Sequence, residues 1–248
     1  MSLLNLQDVS FSYTASKTIL KGVDLAIEPG DSIGLVGESG SGKSTLLRLM
    51  LGLYRPSGGT ITFDGAPLDP RLGRFMRNYR RQVQIVFQDP YSSLDPRQSV
   101  FSIIAEPLRS LRIPGDHRKL VADAIASVGL DPNIVSRYAH EFSGGQRQRI
   151  AIARAIVPGP RLLLADEAVS ALDLSTRIRI VDLFKQLSAE MTLVFVSHDI
   201  GVVAALCSKI VILEQGRIVE AGPTAQILAN PRHPYTQLLL ESVPRLPA

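Results

Sequence analysis

Ser32-Ile33-Gly34-Leu35-Val36-Gly37-Glu38-Ser39-Gly40-Ser41-Gly42-Lys43-Ser44 is the stretch that decides the fold. A short apolar run ending in glycine is what a strand buried on both faces of a parallel sheet requires. Residues 37–44 complete the pattern G-x-x-x-x-G-K-S, and helical spacing follows from Ser44 to Leu53. The residue types match the chemistry. The glycines let the backbone turn tightly, so that several N–H groups converge on one phosphate. The loop opens a helix at its N-terminus, where unpaired N–H groups and the macrodipole favour an anion. Lys43 then sets a point charge against the β- and γ-phosphates, and the Ser44 hydroxyl is suited to ligate Mg²⁺. The expected ATP-binding set here is Gly37, Glu38, Ser39, Gly40, Ser41, Gly42, Lys43, Ser44 and Thr45.

Two further stretches narrow the chemistry. Arg161-Leu162-Leu163-Leu164-Ala165-Asp166-Glu167 is an apolar strand that ends in paired carboxylates. Asp166 is placed to hold Mg²⁺, usually through water, and Glu167 to polarise an attacking water as general base. Phe142-Ser143-Gly144-Gly145-Gln146 precedes a helix over 147–157. Ser143 is a natural N-cap, and the two glycines expose N–H groups, which makes a second phosphate-binding helix start.

Working outward, residues 4–13 and 19–27 read as strands, and 28–31 as a turn. Strands are also expected at 60–63, 83–87, 162–165, 193–196 and 209–213, with a hairpin turn at Gln215-Gly216 into 217–220. Residues from about 90 to 160 read as helical, and helices recur near 175–190 and 199–207. A β-rich start, βα units, a helical insertion and βα units again describe an α/β core with a helical subdomain inserted between two of its strands.

Composition sets the outer limits. The chain has 248 residues, of which 45% are hydrophobic and 20% charged, enough for one sizeable core and against wholesale disorder. The net charge of +4 comes from scattered Lys and Arg, without the aromatic–basic interleaving of a nucleic-acid surface. Cys207 is the single cysteine, so an intrachain disulfide and a Cys-rich metal site are excluded, and it is expected to pack as a small apolar residue. The first residues lack a signal-peptide pattern. The most apolar stretch, 191–213, is interrupted by His198, Asp199 and Lys209, which argues against a membrane span. The expectation is a soluble chain that reaches a membrane only through a partner.

Taken together, these motifs resemble the ATP-binding subunit of an ABC transporter over nearly the whole chain. The resemblance implies a P-loop NTPase (RecA-like) core with an antiparallel β subdomain and an inserted helical subdomain. The expected partition is 1–90 and 161–222 for the core, 91–160 for the helices and 223–248 for a C-terminal tail. It also implies ATP and Mg²⁺ as ligands. Ser143, Gly144, Gly145 and Gln146 match the family signature, which faces the γ-phosphate held by a second ATPase subunit. Tyr13 matches an aromatic ring that stacks on adenine. Gln88 matches a glutamine that touches Mg²⁺ or water and reports to the membrane subunit. Ser170, Ala171, Leu172 and Asp173 match a loop at the dimer interface. His198 matches a switch histidine that contacts the γ-phosphate and orients Glu167. Many family members have proline after this glutamate, where the chain has Ala168; that loosens the turn but keeps both carboxylates. His117, His140 and His233 match no such position.

Gln88-Asp89-Pro90-Tyr91-Ser92-Ser93-Leu94-Asp95-Pro96-Arg97 and Asn230-Pro231-Arg232-His233-Pro234-Tyr235-Thr236-Gln237-Leu238-Leu239 look like segments of oligopeptide, dipeptide and nickel importers. The end at 248, without a Cys-containing extension, leans toward shorter members that include importers of nickel and metal chelates. The implied partners are two transmembrane permeases, a second ATPase subunit (identical or paralogous) and an extracytoplasmic solute-binding protein, with no nucleic acid. The implied location is the cytoplasmic face of the membrane, with residues 89–112 docking a permease helix. Two other readings remain at this stage. One is a soluble ABC ATPase acting on nucleic acid, which usually carries tandem cassettes, coiled-coil arms or zinc modules. The other is a regulatory nucleotide-binding module without turnover, against which intact Glu167 and His198 argue.

Overall fold

The computed structural model of the protein describes residues 2–14 and 17–241. In chain order the strands are β1 (Leu4–Thr14), β2 (Lys17–Ile27), β3 (Ser32–Val36), β4 (Gly58–Phe63), β5 (Ala66–Pro67), β6 (Val83–Val86), β7 (Leu162–Asp166), β8 (Thr192–Ser197), β9 (Lys209–Glu214) and β10 (Arg217–Pro223). The helices are α1 (Lys43–Met50), α2 (Gly73–Gln82), α3 (Pro90–Ser93), α4 (Val100–Ser110), α5 (His117–Ser127), α6 (Gly144–Ile156), α7 (Leu174–Ser188), α8 (Ile200–Leu206), α9 (Thr224–Ala229) and α10 (Pro234–Glu241).

Two sheets organise them. One is antiparallel, in the order β2-β1-β4-β5; the other has six strands, in the order β10-β9-β3-β8-β7-β6. In the larger sheet every pairing from β9 to β6 is parallel, and only β10 runs antiparallel to its neighbour. Strand alternation divides its side chains between two cores. Ile33, Leu35, Leu162, Leu164, Val194, Val196, Val211 and Leu213 face α1 and the antiparallel sheet. Leu163, Ala165, Leu193, Phe195, Ile210 and Ile212 face the helices on the other side. Both faces are covered, which is why β3 and β8 are buried along their whole lengths. Burying one such Leu or Phe side chain contributes roughly 1.5–3 kcal/mol.

The strand order places the site. From β3 the chain crosses to the far edge at β6, works back through β7 and β8 to β3, and then adds β9 on the other side. Because these strands are parallel, their carboxyl ends share one edge, where open α/β sheets bind ligands. Val36 of β3 pairs with Ser197 of β8, Asp166 of β7 with Val196, and Val86 of β6 with Ala165. Gly37, Gln88, Glu167 and His198, each just past a strand end, therefore fall close together along that edge.

Several local outcomes differ from the sequence reading. The helix expected over 44–53 ends at Met50. The Leu53 N–H returns to the Arg48 carbonyl and the Gly52 N–H to the Leu49 carbonyl, with Gly52 at φ 64, which is a Schellman stop. Helix α2 and the two-residue β5 were not expected. Helix α2 buries only Met76 and Tyr79, lacks a side-chain N-cap, and otherwise presents arginine. With Arg71 it gathers Arg74, Arg77, Arg80 and Arg81, so the basic residues are less evenly scattered than the chain suggests. Cys207 is buried as expected, and burial pushes its thiol up to about 12. Among the described residues no helix is long and apolar enough to cross a membrane.

Candidate functional site at the carboxyl edge of the sheet

The phosphate loop leaves β3 and winds into α1 with Gly40 at φ 84 and Gly42 at φ 113, conformations that cost a side chain strain and glycine almost nothing. Gly37 is glycine for another reason: a Cβ there would stand 2.2 Å from the Leu213 carbonyl oxygen of β9. No side chain caps α1, so its first N–H groups open outward. Lys43 lies buried beneath the loop, and its Nζ donates to the carbonyls of Gly37 at 2.6 Å and Glu38 at 2.8 Å. An ammonium has three donors, so one remains for an anion. Burial lowers the Lys43 pKa, and the charges of Glu167 and Asp166 oppose that shift.

Glu167 sits at the centre of the carboxylate side. Gln88 donates from Nε2 to Glu167 Oε2 at 3.0 Å, and His198 Nδ1 lies 3.5 Å from the same oxygen. Ser170 donates to the Glu167 carbonyl at 2.9 Å and is 3.4 Å from Gln88 Nε2. Glu167 itself holds φ 44, a left-handed conformation that a non-glycine residue keeps only when its surroundings impose it. Its N–H is tied to the Val196 carbonyl at 3.0 Å. Beside it, Asp166 has its pKa raised by burial and by the Glu167 charge, against lowering by Lys43 and a hydrogen bond with Ser44.

The loop, Gln88 and Glu167 line one cavity of about 420 Å³. A larger hollow of about 560 Å³, lined by residues of β6 and α4 together with Gln88 and Asp166, also borders Gln88. The smaller cavity holds the phosphate donors, so chemistry rather than size identifies the nucleotide site. Ser41 Oγ is buried within the loop, beside Gly37, without a partner among the described residues. The Ser44 hydroxyl and Asp166 carboxyl supply the hard oxygen donors that Mg²⁺ takes alongside water and substrate phosphates. Such a site needs no cluster of three protein ligands, and none occurs among the described residues.

The other expected residues lie around this centre. Tyr13 is half exposed at the rim, with its hydroxyl 3.2 Å from Thr45 Oγ1 and accepting from Arg48 at 3.2 Å. Its ring meets Phe11 and Tyr54 edge-on. The Ser143–Gln146 segment does not line the loop's cavity. It starts α6 as a closed capping box: Ser143 accepts from the Gln146 N–H at 3.4 Å, and Gln146 Oε1 accepts from the Ser143 N–H at 3.0 Å. Asp173 caps α7 by accepting from the Thr176 N–H at 3.0 Å, and the Thr176 and Ser175 donors hold its carboxyl down to about 2. Lys17 and Ile19 line the cavity and Arg48 braces Tyr13; sequence reasoning missed all three, since none belongs to a motif.

The sequence profile of the ABC transporter family matches residues 20–170. The chain belongs to the ABC transporter family. A second profile, described as the C-terminal region of oligopeptide/dipeptide transporters, matches residues 219–248 of this ABC ATPase. A Brucella ovis protein provisionally named for peptide import and ATP binding is 42% identical over 98% of this chain and 78% of its own length. Glutathione import ATP-binding protein GsiA of Escherichia coli is 46% identical over 90% of this chain, which spans 36% of GsiA. Among solved structures, cbiO1 of Clostridium perfringens, part of the ABC transporter complex cbiONQ, superposes with a TM-score of 0.83. It is 28% identical and covers 92% of this chain and 91% of its own. A dimeric ATP-binding cassette in a post-hydrolysis state, bound to ADP and Pi, superposes with a TM-score of 0.79 at 29% identity, over 89% of this chain and 98% of that one. The ABC ATPase assignment and the mixed α/β cassette fold expected from the sequence both stand.

Proposed function

We propose that this ABC ATPase energises an importer of peptide-class solutes, bound at the cytoplasmic face of the membrane to two permeases and paired with a second ATPase subunit. The observation that carries the catalytic part is the meeting of Gln88, Glu167, His198 and the phosphate loop at one sheet edge. Peptide-class cargo is supported by the tail profile and by the relatives' names. A solute-binding protein outside the membrane follows from import. Nickel has no support beyond the sequence resemblance.

The loop N–H groups and Lys43 hold the β- and γ-phosphates and draw off their charge as the terminal bond breaks. Bound Mg²⁺, held by Ser44 and Asp166 with Gln88 close by, would neutralise phosphate charge and keep the γ-phosphate in line. Glu167 accepts a proton from the attacking water, with Gln88 and His198 fixing its carboxylate from two sides. Tyr13 stacks on the adenine. Ser143, Gly144, Gly145 and Gln146 act on the partner's γ-phosphate, a reading supported by their separation from this chain's own cavity. Ser170, Ala171, Leu172 and Asp173 lie at the dimer interface, beside the exposed Leu174 and Ile178 of α7. Hydrolysis removes the phosphate that bridges the two subunits and lets them separate.

Glu167→Gln tests the catalytic reading. Turnover should fall about 10²–10⁴-fold, the usual contribution of a general base, while ATP binding persists and light scattering shows an ATP-dependent dimer. Near-normal turnover would refute the base assignment. For cargo, the reconstituted complex should show ATPase stimulation by a binding protein loaded with a short peptide. Stimulation by nickel chelate alone would overturn the peptide reading.

A further inference from the structure

The C-terminal tail touches the phosphate loop. Tyr235, near the start of α10, is buried, and its hydroxyl accepts a hydrogen bond from the Glu38 N–H at 2.8 Å. These residues are 197 positions apart. The Glu38 N–H belongs to the same peptide plane as the Gly37 carbonyl, which accepts from Lys43 Nζ at 2.6 Å. Tyr235 and Lys43 therefore hold opposite ends of one peptide group. Hydrogen bonds in such a chain polarise one another, and each fixes the plane for the other.

The tail is built to keep Tyr235 there. Glu220 on β10 accepts from the N–H groups of Arg232 at 2.9 Å and His233 at 3.1 Å, which anchors the turn into α10. Gln237 closes that turn by donating from Nε2 to the Pro231 carbonyl at 3.0 Å. The Tyr235 N–H points to His233 Nδ1 at 3.3 Å. From the other flank, the Gly216 N–H of the β9–β10 turn donates to the Ser41 carbonyl at 2.9 Å. Tail and hairpin thus brace the outside of the loop at two points, and only the tail reaches the peptide that Lys43 grips.

We infer that Tyr235 is a positioning residue for the nucleotide site: by fixing the Gly37–Glu38 peptide it sets the Lys43 ammonium for the phosphates, so that docking of the tail controls ATP affinity. Tyr235 touches neither nucleotide nor water; it acts through Lys43. This rests on the reading of the 37–44 loop as the ATP site.

The test uses the full 248-residue chain. Tyr235→Phe keeps the ring and removes only the acceptor, leaving the Glu38 N–H without its partner on the tail. Mg-ATP binding measured by calorimetry should weaken by about fivefold, the scale of one lost hydrogen bond that holds the loop in its binding geometry. The melting temperature without nucleotide should stay near wild type, and the melting shift produced by Mg-ATP should shrink. Glu220→Ala, which releases the turn before α10, should weaken binding in the same direction. The two changes combined should be less than additive, because both remove one contact. Unchanged ATP affinity in Tyr235→Phe, or loss of melting temperature alone, overturns the inference. Failure of wild type to bind Mg-ATP would instead sink the reading of the loop itself.

Discussion

Two glycine-rich helix starts in this molecule are constructed in opposite ways. Helix α1 begins from Gly42 at φ 113 with no side-chain cap, over a buried lysine and an unpaired Ser41 hydroxyl. Helix α6 begins from Ser143 in a closed capping box, with extended backbone at the cap and Gln146 returning to the Ser143 N–H. The first leaves its helix start uncapped at a cavity of its own chain, where in the proposed reading an anion completes it. The second ties back its Ser143 and Gln146 N–H groups internally and lines no part of the phosphate loop's cavity, and in the proposed reading it takes a phosphate from the partner. On the proposed reading, the uncapped start binds nucleotide alone, whereas the capped one acts only on the partner's nucleotide.

The largest break in this comparison comes from the open start. Lys43→Ala removes the charge beneath the loop and should weaken Mg-ATP binding about 10–100-fold, as expected for one charged hydrogen bond, read by calorimetry on the isolated chain. The closed start should respond differently. A Cβ on Gly145 would stand 2.4 Å from Thr176 Cγ2, so Gly145→Ala should destabilise the fold by about 1–3 kcal/mol, the range for overpacking. ATP binding by the monomer should survive, and turnover should fall. Adding Thr176→Ser, which deletes the clashing methyl, should recover most of the melting temperature. If Gly145→Ala weakened monomer binding as much as Lys43→Ala does, the distinction between the two starts would be lost.

A smaller effect concerns the α7 cap. The folded Asp173 carboxyl titrates at about 2 against an ordinary 3.8, so its contribution to stability is present above the ordinary value and fades as pH falls toward 2. The melting difference between wild type and Asp173→Ala should be constant near neutrality and shrink below pH 3.8. The smallest expected signal is at Cys207. With its thiol pushed up to about 12 and its side chain buried, alkylation at mildly alkaline pH should be negligible until the chain unfolds.

The phosphate loop, the Asp166-Glu167 pair and the alternation of buried strands were legible because each is local: a handful of adjacent residues states the chemistry or the period. Helix α2 was not, because six of its ten residues are Arg, Asn or Gln around a two-residue buried face, and no cap announces it. Gly37 looked like a residue of the loop's turn, but its necessity comes from Leu213, far along the chain. The Tyr235 contact is the extreme case, since a hydrogen bond between the two ends of a sequence leaves no periodic trace. Even the left-handed backbone of Glu167 could not be foreseen, because glutamate is a poor choice for it.

That last conformation ties competence to frailty. A residue free to choose would be glycine or asparagine, which visit this region of backbone space far more readily. Replacing Glu167 with asparagine should relax the turn and yield a sturdier protein that cannot perform its reaction. Random drift toward greater ruggedness would therefore pull this position away from glutamate, and only selection for working cycles holds it there.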